Sequence, residues 1–199
     1  MPTSQTLVTI YNMALDIVVE APISTVNDNS PFARWLNRNF VPTVEAALRQ
    51  NVWNFATELH VLNKATVQPA FRWRYQYHLP PGWLRVLPLT RGGERGGLPI
   101  PYEVKRNLLM TNAGSPLRTE LVMNVQDPGE WDPLFATMIA ARLAVGLAHR
   151  FTGKSSFVEQ AQRIAADAME QAEEINAYEG TLQPVEQHDI IRVRGEYEW

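Results

Sequence analysis

Apolar residues along the chain follow two different periods. Near the N-terminus Leu7, Ile10, Tyr11, Ala14, Leu15 and Val18 recur at three- and four-residue steps, the spacing of one helical face. Glu20-Ala21-Pro22 closes this first helix, because the residue before a proline is disfavoured in the α region. Ser30 then offers a capping oxygen and Pro31 a preset first-turn φ. Phe32, Trp35, Leu36, Phe40, Val44, Leu48 and Val52 follow at helical spacing. They predict a long second helix, bent where Pro42 removes an amide donor and crowds the Arg38 carbonyl.

Between His60 and Val125 the period changes to two. In Phe71–Leu79 the residues Phe71, Trp73, Tyr75, Tyr77 and Leu79 share one face, which predicts the clearest strand of the chain, its aromatics buried and Arg72 and Arg74 outside. Pro80-Pro81-Gly82 turns into a second strand over Trp83–Leu89, and two shorter strands are expected near Tyr102–Met110 and Leu117–Val125. The glycine-rich excursion Arg91–Gly97 separates them, and its Arg91, Glu94 and Arg95 suit a contact loop at an edge or in a channel.

Asp132 caps and Pro133 opens a third helix with almost no polar face, which predicts that other elements surround it. Its small residues let neighbouring helices approach closely, and Gly153 suits its exit. Ser156 with Glu159 reads as a capping box for a last amphipathic helix ending at Gly180. The expected fold is therefore mainly α. A bundle of about four helices, from residues 1–57 and 126–180, carries a small antiparallel β insertion at 58–125, all within one domain of residues 1–180.

Residues 181–199 form an extended C-terminal arm in this reading. Ile190, Ile191, Arg192, Val193, Arg194, Tyr197 and Trp199 are denser in apolar and aromatic groups than a free disordered end, so they are expected to dock on the chain's own domain or on a neighbouring subunit, by strand addition or through the aromatics.

Composition narrows the chemistry. With 199 residues the chain buries enough surface to need no metal or disulfide for its core, and the absence of cysteine excludes disulfides, cysteine-ligated zinc and a thiol nucleophile. A net charge of −3 argues against a general polyanion-binding surface. No Lys or Arg precedes Arg34, so a secretory signal is not expected, and the apolar run Pro133–Ala148 is shorter than a bilayer crossing. His60, His78, His149 and His188 show no metal-ligand spacing; neither a metal site nor a cofactor is expected. Gly153-Lys154-Ser155 lacks the glycine-rich loop of a phosphate site and reads as an interhelical turn.

Asp127, Glu130 and Asp132 are close enough in sequence to suggest the paired carboxylates of a muramidase-like hydrolase, but acids before a helix are better explained as caps and partners of the helix dipole. The basic, aromatic stretch Phe71–Arg74, with Arg85, Arg91 and Arg95, offers a DNA-binding alternative through phosphate contacts and stacking. No catalytic residue is assigned.

Three segments resemble one known family. Asn51-Val52-Trp53-Asn54-Phe55-Ala56, then Tyr75-Gln76-Tyr77-His78-Leu79-Pro80-Pro81-Gly82-Trp83-Leu84-Arg85-Val86, then Asp132-Pro133-Leu134-Phe135 leading into Ala140-Ala141-Arg142-Leu143-Ala144, resemble the tail tubular protein A family of short-tailed bacteriophages. The resemblance spans roughly Leu7 to Ala177. It implies a head-to-tail adaptor of the virion, assembled in host cytoplasm as a homo-oligomeric ring, usually twelvefold, below the portal protein. Such a ring continues the channel for genomic DNA without reading its sequence, and presents a platform for the tail nozzle and fibres. A cell-wall hydrolase activity has been proposed for some adaptors, and no catalytic motif carries over to residues of this chain. A portal can impose the ring number from outside, which leaves the free protein monomeric.

Overall fold

The computed structural model describes residues 6–93 and 97–179. Among these lie four α-helices: α1 (Leu7–Ile17), α2 (Pro31–Gln50), α3 (Pro133–Leu147) and α4 (Ser155–Glu179). Six strands stand between α2 and α3: β1 (Thr57–Leu62), β2 (Tyr75–His78), β3 (Trp83–Val86), β4 (Tyr102–Lys105), β5 (Leu108–Thr111) and β6 (Leu117–Met123). They form two antiparallel sheets, ordered β1-β6-β3 and β2-β5-β4.

Local chemistry sets most helix ends. Ser30 Oγ accepts the Ala33 N–H at 3.0 Å, and Asp132 Oδ1 accepts those of Leu134 and Phe135 at 2.8 and 3.4 Å. Helix α1 stops before Pro22 matters. Val19 takes a left-handed φ of 58°, donates to Asp16, and lets Glu20 donate to Leu15, the two bonds of a Schellman ending. Asn12 then clamps the following loop, accepting from and donating to Ile23 at 2.9 and 3.1 Å.

Helix α3 is the centre of the larger core. Phe135, Met138, Ile139, Leu143 and Leu147 are buried against α1, α2 and α4. The helical run continues through a π turn, Ala148–Thr152, to a left-handed Gly153, so Pro133–Thr152 reaches 20 residues. That is longer than the apolar run in the sequence suggests, and it meets the length and composition of a bilayer crossing. Here the surroundings of its buried faces are the other three helices.

The expected fold class is wrong. About 49% of the described chain is helical and 19% strand, so the protein is mixed α/β rather than mainly a helical bundle. The physical reason is that the sheets are not an appendage. Leu87 and Val122 belong to the same core as α3, and Asn124 Nδ2 donates to Glu45 Oε1 of α2 at 2.8 Å. Arg85 donates to the Arg49 carbonyl at 2.9 Å while Arg49 donates back to the Leu84 carbonyl, which bolts the end of α2 to β3. Leu62, Tyr77, Val86, Leu109, Leu117 and Leu121, drawn from both sheets, share a second core.

The strands also differ from expectation. Thr57–Leu62 is a strand that the sequence reading left out, and Tyr102–Met110 is a hairpin of two strands, turned at Arg106 with φ 55°. The strand expected over Phe71–Leu79 spans only Tyr75–His78. Its partner β5 ends at Thr111, opposite Tyr75, and the chain beyond turns away, so residues 71–74 have no ladder to join.

Candidate functional site

Losing that ladder creates the most exposed apolar feature of the β region. Phe71 is 81% exposed and Val67 69%, in a loop that leaves β1 and returns to β2. The alternation had placed Phe71 in the core; it stands in solvent instead. Arg72 adopts φ 74°, and Trp73 donates its backbone N–H to the Phe71 carbonyl at 2.9 Å, which folds the loop tip back on itself.

The returning limb is fastened. Trp73 Nε1 donates to Glu103 Oε2 at 2.9 Å, and the Arg74 N–H donates to Asn112 Oδ1 at 3.0 Å. The indole bond, then Lys105 Nζ at 3.0 Å from the other carboxylate oxygen, hold the Glu103 carboxyl below the ordinary carboxylate range. Arg72 Nη1 lies 3.9 Å from the same carboxylate, and its guanidinium sits over the Trp73 ring at 5.8 Å. The result is a held loop that presents a phenyl ring beside two exposed arginines, Arg72 and Arg74.

A cleft of about 850 Å³ lies elsewhere on the β region. Arg91 and Arg118 bring positive charge to walls of Leu98, Ile100, Pro101 and Pro116. The neck of the glycine-rich excursion forms one side: Arg91 donates to the Leu98 carbonyl at 2.9 Å and Ile100 to the Leu89 carbonyl at 2.8 Å. Gly93, at φ 80°, lies so close to β6 that a Cβ there would stand 2.8 Å from Cβ of Arg118. The described residues lining the cleft include no carboxylate and no histidine. Of the expected contact-loop residues, Arg91 is exposed in the short turn Arg91–Gly93, whereas Glu94 and Arg95 lie outside the described residues. The docking residues expected in the arm, Ile190, Ile191, Arg192, Val193, Arg194, Tyr197 and Trp199, also lie outside them.

Two of the three clustered acids are engaged in local structure, and Glu130 is exposed. Asp127 Oδ1 accepts the Gly129 N–H at 2.9 Å and Asp132 caps α3. His60 pairs with Glu58 at 3.0 Å, while His78 and His149 are exposed on separate elements. Among the described residues no three of His, Asp and Glu gather as a metal site would require.

The first and third of the segments that carry the family resemblance meet in the larger core. Phe135 of α3 packs edge-on against Trp53, Phe55 and Trp131, with ring centroids 5.0, 5.0 and 5.1 Å apart. Trp131 in turn stacks on Phe40 at 5.8 Å. These aromatics are framework: Trp53 Nε1 is satisfied by the Ala47 carbonyl and Trp131 Nε1 by that of Val125.

Sequence reasoning missed the exposed residues Leu59, Val61, Val67 and Phe71. The first two had a signal, since Glu58-Leu59-His60-Val61 alternates as a strand does. Phe71 had none, because alternation assigns a face and says nothing about whether a neighbouring strand continues. Neither a protein-family model nor a curated protein matches the chain.

Proposed function

We propose that this chain is a structural adaptor of a short-tailed phage virion, a subunit that joins a ring below the portal, extends the DNA channel and carries the nozzle and fibres. One observation carries the reading: the apolar tip of residues 63–74 is exposed yet held by the Trp73–Glu103 and Arg74–Asn112 bonds. A held, exposed aromatic is a low-entropy anchor for another protein, and a ring built from one face of each subunit meeting a different face of the next needs such anchors. The sequence resemblance supports the choice of assembly, and the capping roles of Asp127 and Asp132 fit a chain whose acids serve its framework.

The test is the native mass of the purified protein, alone and mixed with the portal of the same phage. A discrete multi-subunit complex is expected only with the portal. Val67→Asp with Phe71→Asp abolishes that complex while leaving the thermal melt unchanged, because both side chains are solvent-facing. Deleting residues Gln187 to Trp199 leaves the domain folded and likewise removes docking. Monomer in both wild-type samples overturns the reading.

A further inference from the structure

Strand β1 pairs with β6 along one side, and no strand among the described residues pairs with the other. Every second residue of such an edge turns its N–H and C=O away from the sheet, where water or another strand must satisfy them. This edge is protected against pairing by one charged side chain, Glu58. It has no proline or lysine, its register with β6 is unbroken, and Leu59 and Val61 stand 80% and 61% exposed on one face. On the alternate face Glu58, its side chain 57% exposed, pairs with His60.

The end of α4 is anchored beside the start of this edge. Asn176 Oδ1 accepts the Asn54 N–H at 2.8 Å, its Nδ2 donates to the Val52 carbonyl at 2.7 Å, and its own carbonyl accepts from Asn54 Nδ2 at 3.0 Å. Asn54 precedes β1 by only three positions, so the chain leaves Glu179 within about 20 Å of Thr57. Residues 180–189 then span up to about 35 Å when extended, and β1 is about 20 Å long. Either end of the edge is in reach.

We propose that Ile190–Trp199 of the same chain adds to β1 as the next strand of its sheet. The two patterns match. In an extended Ile190–Trp199, Ile191, Val193, Tyr197 and Trp199 share one face, and Ile190, Arg192, Arg194, Glu196 and Glu198 the other. Laying the apolar face beside Leu59 and Val61 brings the mixed-charge face, Arg192 and Arg194 with Glu196 and Glu198, to the side of Glu58, which pairs favourably only where an arginine stands opposite it. A one-residue slip sets the arginines beside Leu59 and Val61 and loses the apolar match, so the facing is specified, and the register within it is read out by which same-face pair forms in the test below. The same chain is the occupant because a tether of this length holds the arm at an effective concentration on the order of millimolar, above that of any second copy in ordinary solution. The inference stands apart from the adaptor reading. Its consequence is that a partner capturing the arm uncovers the β1 edge.

The test uses the full chain, whose lack of cysteine makes engineered pairs unambiguous. Leu59→Cys is combined in turn with Ile191→Cys, Val193→Cys or Tyr197→Cys, and with Arg192→Cys as the opposite-face control. One same-face pair is expected to form a disulfide within the monomer, at a rate independent of protein concentration and about tenfold above the control, since only cross-strand neighbours meet the bond's distance limits. A linked dimer as the main product, or no same-face pair faster than the control, overturns the proposal. In the second measurement, full-length Val193→Pro removes one ladder donor from the arm. Amides of residues 57–62 are expected to exchange with solvent about tenfold faster while those of α3 keep their protection. Unchanged exchange in β1 also overturns it.

Discussion

The indole of Trp35 on α2 lies directly over the Cα of Gly146 on α3, so that a Cβ at position 146 would stand 2.5 Å from Cζ2 of Trp35 and nearer still to Cη2. Glycine inside a helix ordinarily costs about 1 kcal/mol relative to alanine. Here that cost is outweighed by a close contact that no other residue allows. Gly146→Ala is expected to destabilise the protein by about 1–2 kcal/mol, because overpacking of about 1–3 kcal/mol exceeds the propensity gain. In a Trp35→Leu background the same change becomes neutral or stabilising. Urea denaturation of the four proteins checks this, and an equal cost in both backgrounds sinks it.

Val19 shows the opposite case. A β-branched residue occupies the left-handed position that ends α1, with its side chain 76% exposed and so without packing to offset the strain. Val19→Gly is expected to raise stability by about 1 kcal/mol, since glycine takes this φ without a Cβ clash and suits a Schellman ending. A lower melting temperature for the variant would contradict the assignment.

Tyr11 makes stability depend on alkaline pH. Its hydroxyl donates to Asn37 Oδ1 at 3.0 Å, and burial pushes the phenol up to about 12. A pKa raised on folding gives stability that is complete below the unfolded value near 10 and is lost as pH rises to the folded value. The loss attributable to Tyr11 is on the order of 2–3 kcal/mol across pH 10–12. Tyr11→Phe should flatten the stability profile in that window by a comparable amount, while costing about 1 kcal/mol near neutrality. Denaturant melts at pH 8, 10 and 11.5 decide it; parallel profiles for both proteins would refute it.

The Trp73–Glu103 bond governs the exposed loop. Glu103→Ala removes the acceptor of the indole N–H and the partner of Lys105, so the returning limb loses one of its two fastenings. Trypsin is expected to cut after Arg72 and Arg74 several-fold faster, with the global melt little changed because these groups lie outside both cores. Lowering pH acts in the same direction. The Glu103 carboxyl sits below the ordinary range, so its contribution is present above the unfolded value near 4.5 and fades as pH falls through the folded one. Limited proteolysis at pH 7, with mass spectrometry of the fragments, tests the substitution; equal cleavage rates would argue against it.

Helical order was legible because its causes are local. Ser30 with Pro31 and Asp132 with Pro133 carry their caps within three or four residues, and the spacing of Ile10, Ala14 and Leu15, or of Leu36, Phe40 and Val44, names the buried face without reference to any partner. The absence of a polar face on α3 correctly foretold its enclosure. The cause of the α1 ending is less legible: the backbone turns at Val19 and not through the proline, and nothing in a valine announces a left-handed φ.

Strands depend on neighbours that are distant in the chain. Alternation in Phe71–Leu79 was real, yet only Tyr75–His78 met a partner, and Phe71 went to solvent because β5 stops at Thr111. The same dependence hid β1, whose place is set by pairing Thr57–Leu62 with Leu117–Val122 some sixty residues away. It also made the fold class wrong, since whether a β segment hangs from a bundle or shares its core is decided by contacts such as Val122 with the α3 cluster. The sequence by itself determined which residues form helices, which faces they bury and where two of them are capped, because those preferences act over one or two turns. Only the tertiary structure decided which strands find edges, which aromatic side chains stay exposed and how close two helices come, because each is an agreement between surfaces that one-dimensional periodicity does not encode.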